Sequence, residues 1–144
     1  RLTLNGAENR RTLAGHFIAE KFGSGVQHLA FHTADIFATA AALRANGFKP
    51  LPISPNYYDD VEARFGLDPE LTERLKVENI LYDRDDHGEY FQLYSTTFGE
   101  GFFFEIVQRS GYRGYGAANA IFRISALKKA LRPEGVPKPT PDVR

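Results

Sequence analysis

The residue best placed to do chemistry is Glu105. It interrupts Phe102-Phe103-Phe104-Glu105-Ile106-Val107, the most apolar run in the chain. An ionised carboxylate in such surroundings is costly unless something compensates it. Water at a sheet edge, an arginine partner or a metal ion would each do so. His28 is the second candidate. It interrupts the apolar stretch Val26-Gln27-His28-Leu29-Ala30-Phe31, on the strand face shared by Val26, Ala30 and His32. A histidine there is either a hydrogen-bonded core residue or a ligand. If both strands belong to one sheet, His28 and Glu105 point to one concave face, and an imidazole with a carboxylate suits a divalent metal. His32 lies farther along that face and reads as supporting or surface. His16 and His87 fall on a helix face and in a charged turn, where solvent is expected. Gln92 alternates with Tyr90 and Tyr94, and a buried amide needs partners at both ends. Gly114-Tyr115-Gly116 lacks the strand-to-helix setting of a phosphate loop. No Ser/His/Asp arrangement is legible.

The elements that must hold these residues follow from periodicity. Thr12–Phe22 places Leu13, Phe17, Ile18 and Phe22 at helical spacing. Val26–Thr33 alternates as a strand. Asp35 is an N-cap, and Asn46-Gly47 closes the helix it opens. Pro50, Pro52 and Pro55 forbid a long helix next. Tyr57–Phe65 and Pro69–Val77 are short helices, the second opened by Asp68-Pro69. Ile80–Asp83, Tyr90–Ser95 and Phe102–Gln108 are strands, Ala117–Leu131 is a last helix, and Arg1–Leu4 reads as the end of a strand belonging to a preceding unit. The expected class is α+β, as one βαβββ module over residues 1–131. Residues 132–144 hold four prolines and form an extended tail.

Composition narrows the function. The chain has 144 residues, with 18 basic and 18 acidic side chains, so it lacks the basic surface a nucleic acid requires. No apolar run reaches the roughly 20 residues of a membrane span. Cysteine is absent, which removes disulfides, thiolate metal sites and cysteine nucleophiles, and which is compatible with a cytoplasmic location. Methionine is also absent, so a segment of a longer protein is expected, with part of any site outside it. The 12 Phe and 7 Tyr must line a core or a pocket.

Several stretches occur in order that resemble the C-terminal domain of 4-hydroxyphenylpyruvate dioxygenase: Gly25-Val26-Gln27-His28, Tyr57-Tyr58, Ile80-Leu81-Tyr82-Asp83, Phe91-Gln92-Leu93, Phe103-Phe104-Glu105-Ile106-Val107-Gln108-Arg109 and Gly114-Tyr115-Gly116-Ala117-Ala118-Asn119. The resemblance covers roughly residues 1–125. It implies the vicinal-oxygen-chelate fold, paired βαβββ modules around a non-haem iron held by two histidines and one glutamate. By this resemblance His28 and Glu105 are two of the ligands and the other histidine lies in the preceding module. Fe(2+) is the implied cofactor, or another divalent metal such as Mg, Mn or Co. The substrate class is a 2-keto acid, oxygenated at the metal. Gln92 and Asn5 match catalytic positions near the keto acid. Phe104, Tyr115 and Asn119 match the substrate pocket, Tyr115 replacing the usual Phe.

Two departures stand out. Leu13 occupies the position of a substrate-facing Gln, and the terminal helix soon runs into prolines. Both features resemble a bacterial group that fuses a sugar-phosphate-isomerase-like barrel, similar to 3-dehydroshikimate dehydratase, to a dioxygenase-like half with little or no oxygenation of its own. The implied partners are a small-molecule substrate, either a 2-keto acid or a related aromatic or shikimate metabolite, and the preceding module of the same chain. A homo-oligomer is compatible with either reading; nucleic acid and membrane are not expected.

Overall fold

The structure, a computed structural model, describes residues 2–4, 6–9, 11–99 and 101–130. The elements run α1 (Leu13–Glu20), β1 (His28–His32), α2 (Ile36–Ala45), α3 (Asn56–Phe65), α4 (Pro69–Glu78), β2 (Leu81–Asp85), β3 (Gly88–Tyr94) and β4 (Phe103–Ser110). A single 3-10 turn, Ala117–Asn119, then leads into α5 (Ala120–Ala130). The architecture is α+β, and the βαβββ order holds with α3 and α4 inserted before β2. The four strands form one sheet in the order β1-β4-β3-β2, with β1 parallel to β4 and the other pairs antiparallel.

Local chemistry explains the helix boundaries. Thr12 caps α1 by accepting from the Gly15 amide, Asp35 caps α2 by accepting from Ala38, and Asp68 caps α4 by accepting from Glu70 and Leu71. Gln108 reaches back from β4 so that its Oε1 accepts from the Ile36 amide at 2.8 Å. That bond satisfies a free N–H at the start of α2 and ties the helix to the sheet.

The two faces of the sheet have different coverings. Leu93, Phe91 and Ile106 pack with Ile36 and Ala40 of α2 in the buried core. The opposite face carries His28, Phe103, Glu105, Tyr94 and Gln92, because register pairs His28 with Phe103, Tyr94 with Glu105 and Gln92 with Val107. The 3-10 turn and α5 approach this second face: Asn119 bonds Gln92, and the Arg123 guanidinium lies over Tyr94 and Phe103.

Two expectations are corrected. Residues 2–4 form no strand, and Leu2 and Leu4 are exposed; among the described residues no strand lies beside them to complete a ladder. Phe22 does not join the buried face of α1. The helix closes at Glu20, Phe22 takes a positive φ of 55°, and its ring is 99% exposed. The expected tail, 132–144, lies outside the described residues. No described helix is long and apolar enough to cross a membrane.

Burial raises the pKa of six tyrosines: Tyr57, Tyr58, Tyr82, Tyr90 (to about 12), Tyr94 and Tyr112. The folded chain keeps protons there that an unfolded chain releases near pH 10. Stability from these phenols is therefore intact below pH 10 and falls as pH rises through the raised values. Tyrosine Cζ shifts followed by NMR are expected to show these six ionising late, together with loss of structure. Ionisation of all six near pH 10 in a folded protein would contradict their burial.

Candidate metal centre

Glu105 sits at the middle of β4, 6% exposed, with Tyr94 opposite it on β3 and Ala30 opposite it on β1. Its Oε1 accepts from Gln92 Nε2 at 2.8 Å. The same nitrogen donates to the Tyr94 hydroxyl at 2.7 Å. Both amide hydrogens of Gln92 are thus used, which turns its carbonyl oxygen toward Asn119, whose Nδ2 donates at 2.9 Å. Asn119 Oδ1 in turn faces the Tyr57 hydroxyl at 2.8 Å, and that hydroxyl accepts from the Tyr82 amide at 2.8 Å. A carboxylate only accepts, which orients the Gln92 and Asn119 amides; the Tyr57 hydroxyl then has two acceptors in reach, Asn119 Oδ1 and the Tyr82 carbonyl at 3.0 Å. Gly116 is required beside this chain. A Cβ there would overlap Gln92 Oε1, and its φ is +69°.

The second oxygen of Glu105 faces His28, whose Nε2 is 3.6 Å from Oε2. That is too long for a hydrogen bond. Burial lowers the His28 pKa; the Glu105 charge pulls it back up, and Arg123 pushes it down again. The imidazole is therefore neutral at pH 7 and offers a lone pair. Its ring stacks on Phe103 with centroids 5.0 Å apart and planes within 3°. Tyr94 is held protonated, first by burial and then by the neighbouring Glu105 charge, against the pull of Arg123.

This donor set fits a divalent ion. With metal–ligand distances of about 2.1 Å, an imidazole nitrogen and a carboxylate oxygen 3.6 Å apart are close enough to hold one ion between them. Among the described residues no group of three His, Cys, Asp or Glu side chains assembles, so the described part of the chain offers the pair His28 and Glu105.

The remaining sequence candidates divide. Gln92 and Asn119 join Glu105 directly, and both are buried. Phe104 does not, because strand alternation turns it to the opposite face, where it packs with Phe31, Phe98 and Phe102. Phe103 takes the place beside His28. Tyr115 is 75% exposed and neither bonds the carboxylate nor stacks on the imidazole. Asn5 lies outside the described residues. Leu13 opens α1 and is half-buried against the core. His16, His32 and His87 are exposed, as expected. Sequence reasoning missed Tyr57, Tyr94, Phe103 and Arg123. Tyr94 and Phe103 were accessible to it, each two residues from a named candidate on the same strand face.

No protein-family model matches the chain. Among curated proteins it is 49% identical over 132 residues to a 3-dehydroshikimate dehydratase of Pseudomonas putida, covering 90% of this chain and 21% of that protein. It is 36% identical over 121 residues to a 4-hydroxyphenylpyruvate dioxygenase of Pseudomonas aeruginosa, covering 83% of this chain and 34% of that one. The chain thus spans about a fifth of the dehydratase and about a third of the dioxygenase. Among solved structures, a xylose isomerase-like TIM barrel/4-hydroxyphenylpyruvate dioxygenase fusion protein matches with a TM-score of 0.76 and 48% identity over 89% of this chain and 21% of that one. A mutant of 4-hydroxymandelate synthase from Streptomyces coelicolor matches with a TM-score of 0.68 and 31% identity, over 81% of this chain and 33% of that one. The same face of one sheet carries the histidine, the glutamate and the glutamine of the recognised motifs, and the relatives are named for those enzymes: the chain is a homologue of the 4-hydroxyphenylpyruvate dioxygenases and of a part of the 3-dehydroshikimate dehydratases, with the vicinal-oxygen-chelate fold.

Proposed function

We propose that this module holds one divalent metal, iron(II) or another such as Mg, Mn or Co, and offers it to a 2-keto acid or a related aromatic or shikimate metabolite for oxygenation. The observation that carries this reading is the buried Glu105 carboxylate with one oxygen bonded to Gln92 and the other facing a neutral imidazole 3.6 Å away. His28 Nε2 and Glu105 Oε2 are the ligand atoms, and a further histidine comes from the preceding module of the same polypeptide. When bound, the metal supplies Lewis acidity and one-electron chemistry toward a keto acid and oxygen. Gln92 fixes the carboxylate through Oε1 and leaves Oε2 to the metal. Asn119 and Tyr57 fix Gln92. Phe103 holds the imidazole plane and keeps water from its face. The Tyr94 phenol keeps its proton at neutral pH and so remains a neutral neighbour of the carboxylate. By resemblance Asn5 is assigned beside the keto acid and Tyr115 and Asn119 to the substrate pocket, while on this face of the sheet Phe103 stands where the motif suggests Phe104.

A second reading has a specific observation in its favour. Identity is 49% to a dehydratase and 36% to a dioxygenase, and Leu13 stands where a polar substrate contact is expected. In this reading the module is the dioxygenase-like half of a fused 3-dehydroshikimate dehydratase and oxygenates little or nothing. Losing a polar contact costs about 1–3 kcal/mol and changes what the pocket accepts. Oxygen uptake by the iron-loaded full-length protein separates the two. The second reading expects turnover of 4-hydroxyphenylpyruvate far below the ordinary enzyme range of roughly 1–1000 per second, and the first expects turnover within that range for the 2-keto acid the pocket accepts. Uptake within that range would overturn the second reading.

A further inference from the structure

Arg123 sits on α5, half-buried, over the face of the sheet that carries His28 and Glu105. Its guanidinium carbon is 5.2 Å from the centroid of Phe103, the ring that stacks on His28, and 5.5 Å from that of Tyr94, which shares a row with Glu105. Among the described residues it makes no hydrogen bond and no ion pair with a carboxylate within 4 Å. Arg74 likewise has only a ring beneath it, Phe37 of α2, but three other arginines are spent on protein partners. Arg44 pairs with Glu78 at 2.7 Å, and Arg109 donates to the Tyr112 and Gly114 carbonyls. Arg84 donates to the Phe65 carbonyl. Arg123 has only ring faces beneath it, and a partly desolvated guanidinium with unspent donors favours an anion. It borders the site through the two rings it covers, one stacked on His28 and the other paired across the ladder with Glu105.

From this placement we infer that Arg123 is a specificity-determining residue that anchors the acidic group of the substrate beside the His28–Glu105 pair. The inference rests on the reading of that pair as the metal site, and extends it: the substrate must be an anion, and the helix that covers the site reads its charge. A fork of planar donors matches a carboxylate, which a lysine ammonium would meet only as a point charge.

The test is calorimetric titration of the full-length protein, metal-loaded and again in chelator, with 4-hydroxyphenylpyruvate, its methyl ester and 3-dehydroshikimate. Wild type is compared with Arg123→Leu and Arg123→Lys, and the metal content of each sample is measured. Arg123→Leu is expected to keep its metal and its melting temperature while losing about ten- to hundredfold in affinity for whichever free acid wild type binds. Arg123→Lys should recover part of that loss, and the ester should bind wild type and Arg123→Leu alike. The same ratio should persist in chelator. A purely structural arginine would shift melting and leave the acid-to-ester preference unchanged. Equal affinity of wild type and Arg123→Leu for the acid, or no binding of either acid to wild type in both conditions, overturns the anchor. Wild type that holds no metal yet shows the Arg123 effect in chelator defeats the metal reading alone.

Discussion

Saturating divalent metal is expected to stabilise this module within the full-length protein by about 4 kcal/mol when free metal exceeds Kd a thousandfold. Glu105→Gln should remove nearly all of that gain. The carboxylate is buried, and only Oε2 remains for a cation, because Oε1 is taken by Gln92. An amide at position 105 retains an acceptor for Gln92 but is a poor ligand. Hydrogen exchange at the β4 amides gives a readout confined to this module. In chelator, Glu105→Gln should protect β4 at least as well as the wild-type residue, since it removes a charge buried without an ion-pair partner other than a neutral imidazole. If Glu105→Gln weakens β4 in chelator, the carboxylate is serving a protein cation. If it leaves the metal-dependent gain intact, Glu105 is not a ligand.

Gly116→Ala should cost about 2–4 kcal/mol, the sum of a left-handed backbone position and an overlap that must be relieved. The overlap is with the Gln92 side chain, which is fixed at both ends by Asn119 and Glu105 and cannot turn away without breaking a buried bond. Gly66 is the control. It caps α3 at φ +61° with nothing within 4 Å of where a Cβ would lie, so Gly66→Ala carries only the backbone term, about 1 kcal/mol. Because displaced Gln92 would release Glu105, Gly116→Ala should also weaken metal binding by about 10–100-fold while Gly66→Ala leaves it unchanged. Denaturant melts and metal titrations check both. Equal costs for the two variants would show that the approach of Gly116 to Gln92 does not constrain the site.

The fold and the centre of the site were legible for local reasons. Asp35 and Asp68 each sit before an apolar-periodic run, and each caps a helix as that pattern implies. Glu105 and His28 stood out because each breaks an apolar strand, and alternation places them on one face once β1 and β4 pair. What stayed hidden depends on contacts across long stretches of chain. Tyr57 meets Asn119 across 62 residues, and nothing near either residue announces the other. Arg123 faces the site only because α5 folds over the sheet. The motif suggests Phe104 for the pocket, while strand alternation separates it from Glu105 and favours Phe103. Leu2–Leu4 alternates like a strand, but a strand is made by its neighbour, and the described residues provide none.

The most direct test is metal stoichiometry of the full-length protein, comparing wild type with His28→Ala and Glu105→Ala after loading and removal of loosely bound ions. Each variant should hold one equivalent fewer than wild type, with the sheet intact by circular dichroism. The difference between samples is what decides, since a metal bound elsewhere in a longer chain contributes equally to all three. Equal stoichiometry in wild type and both variants would show that His28 and Glu105 do not share an ion.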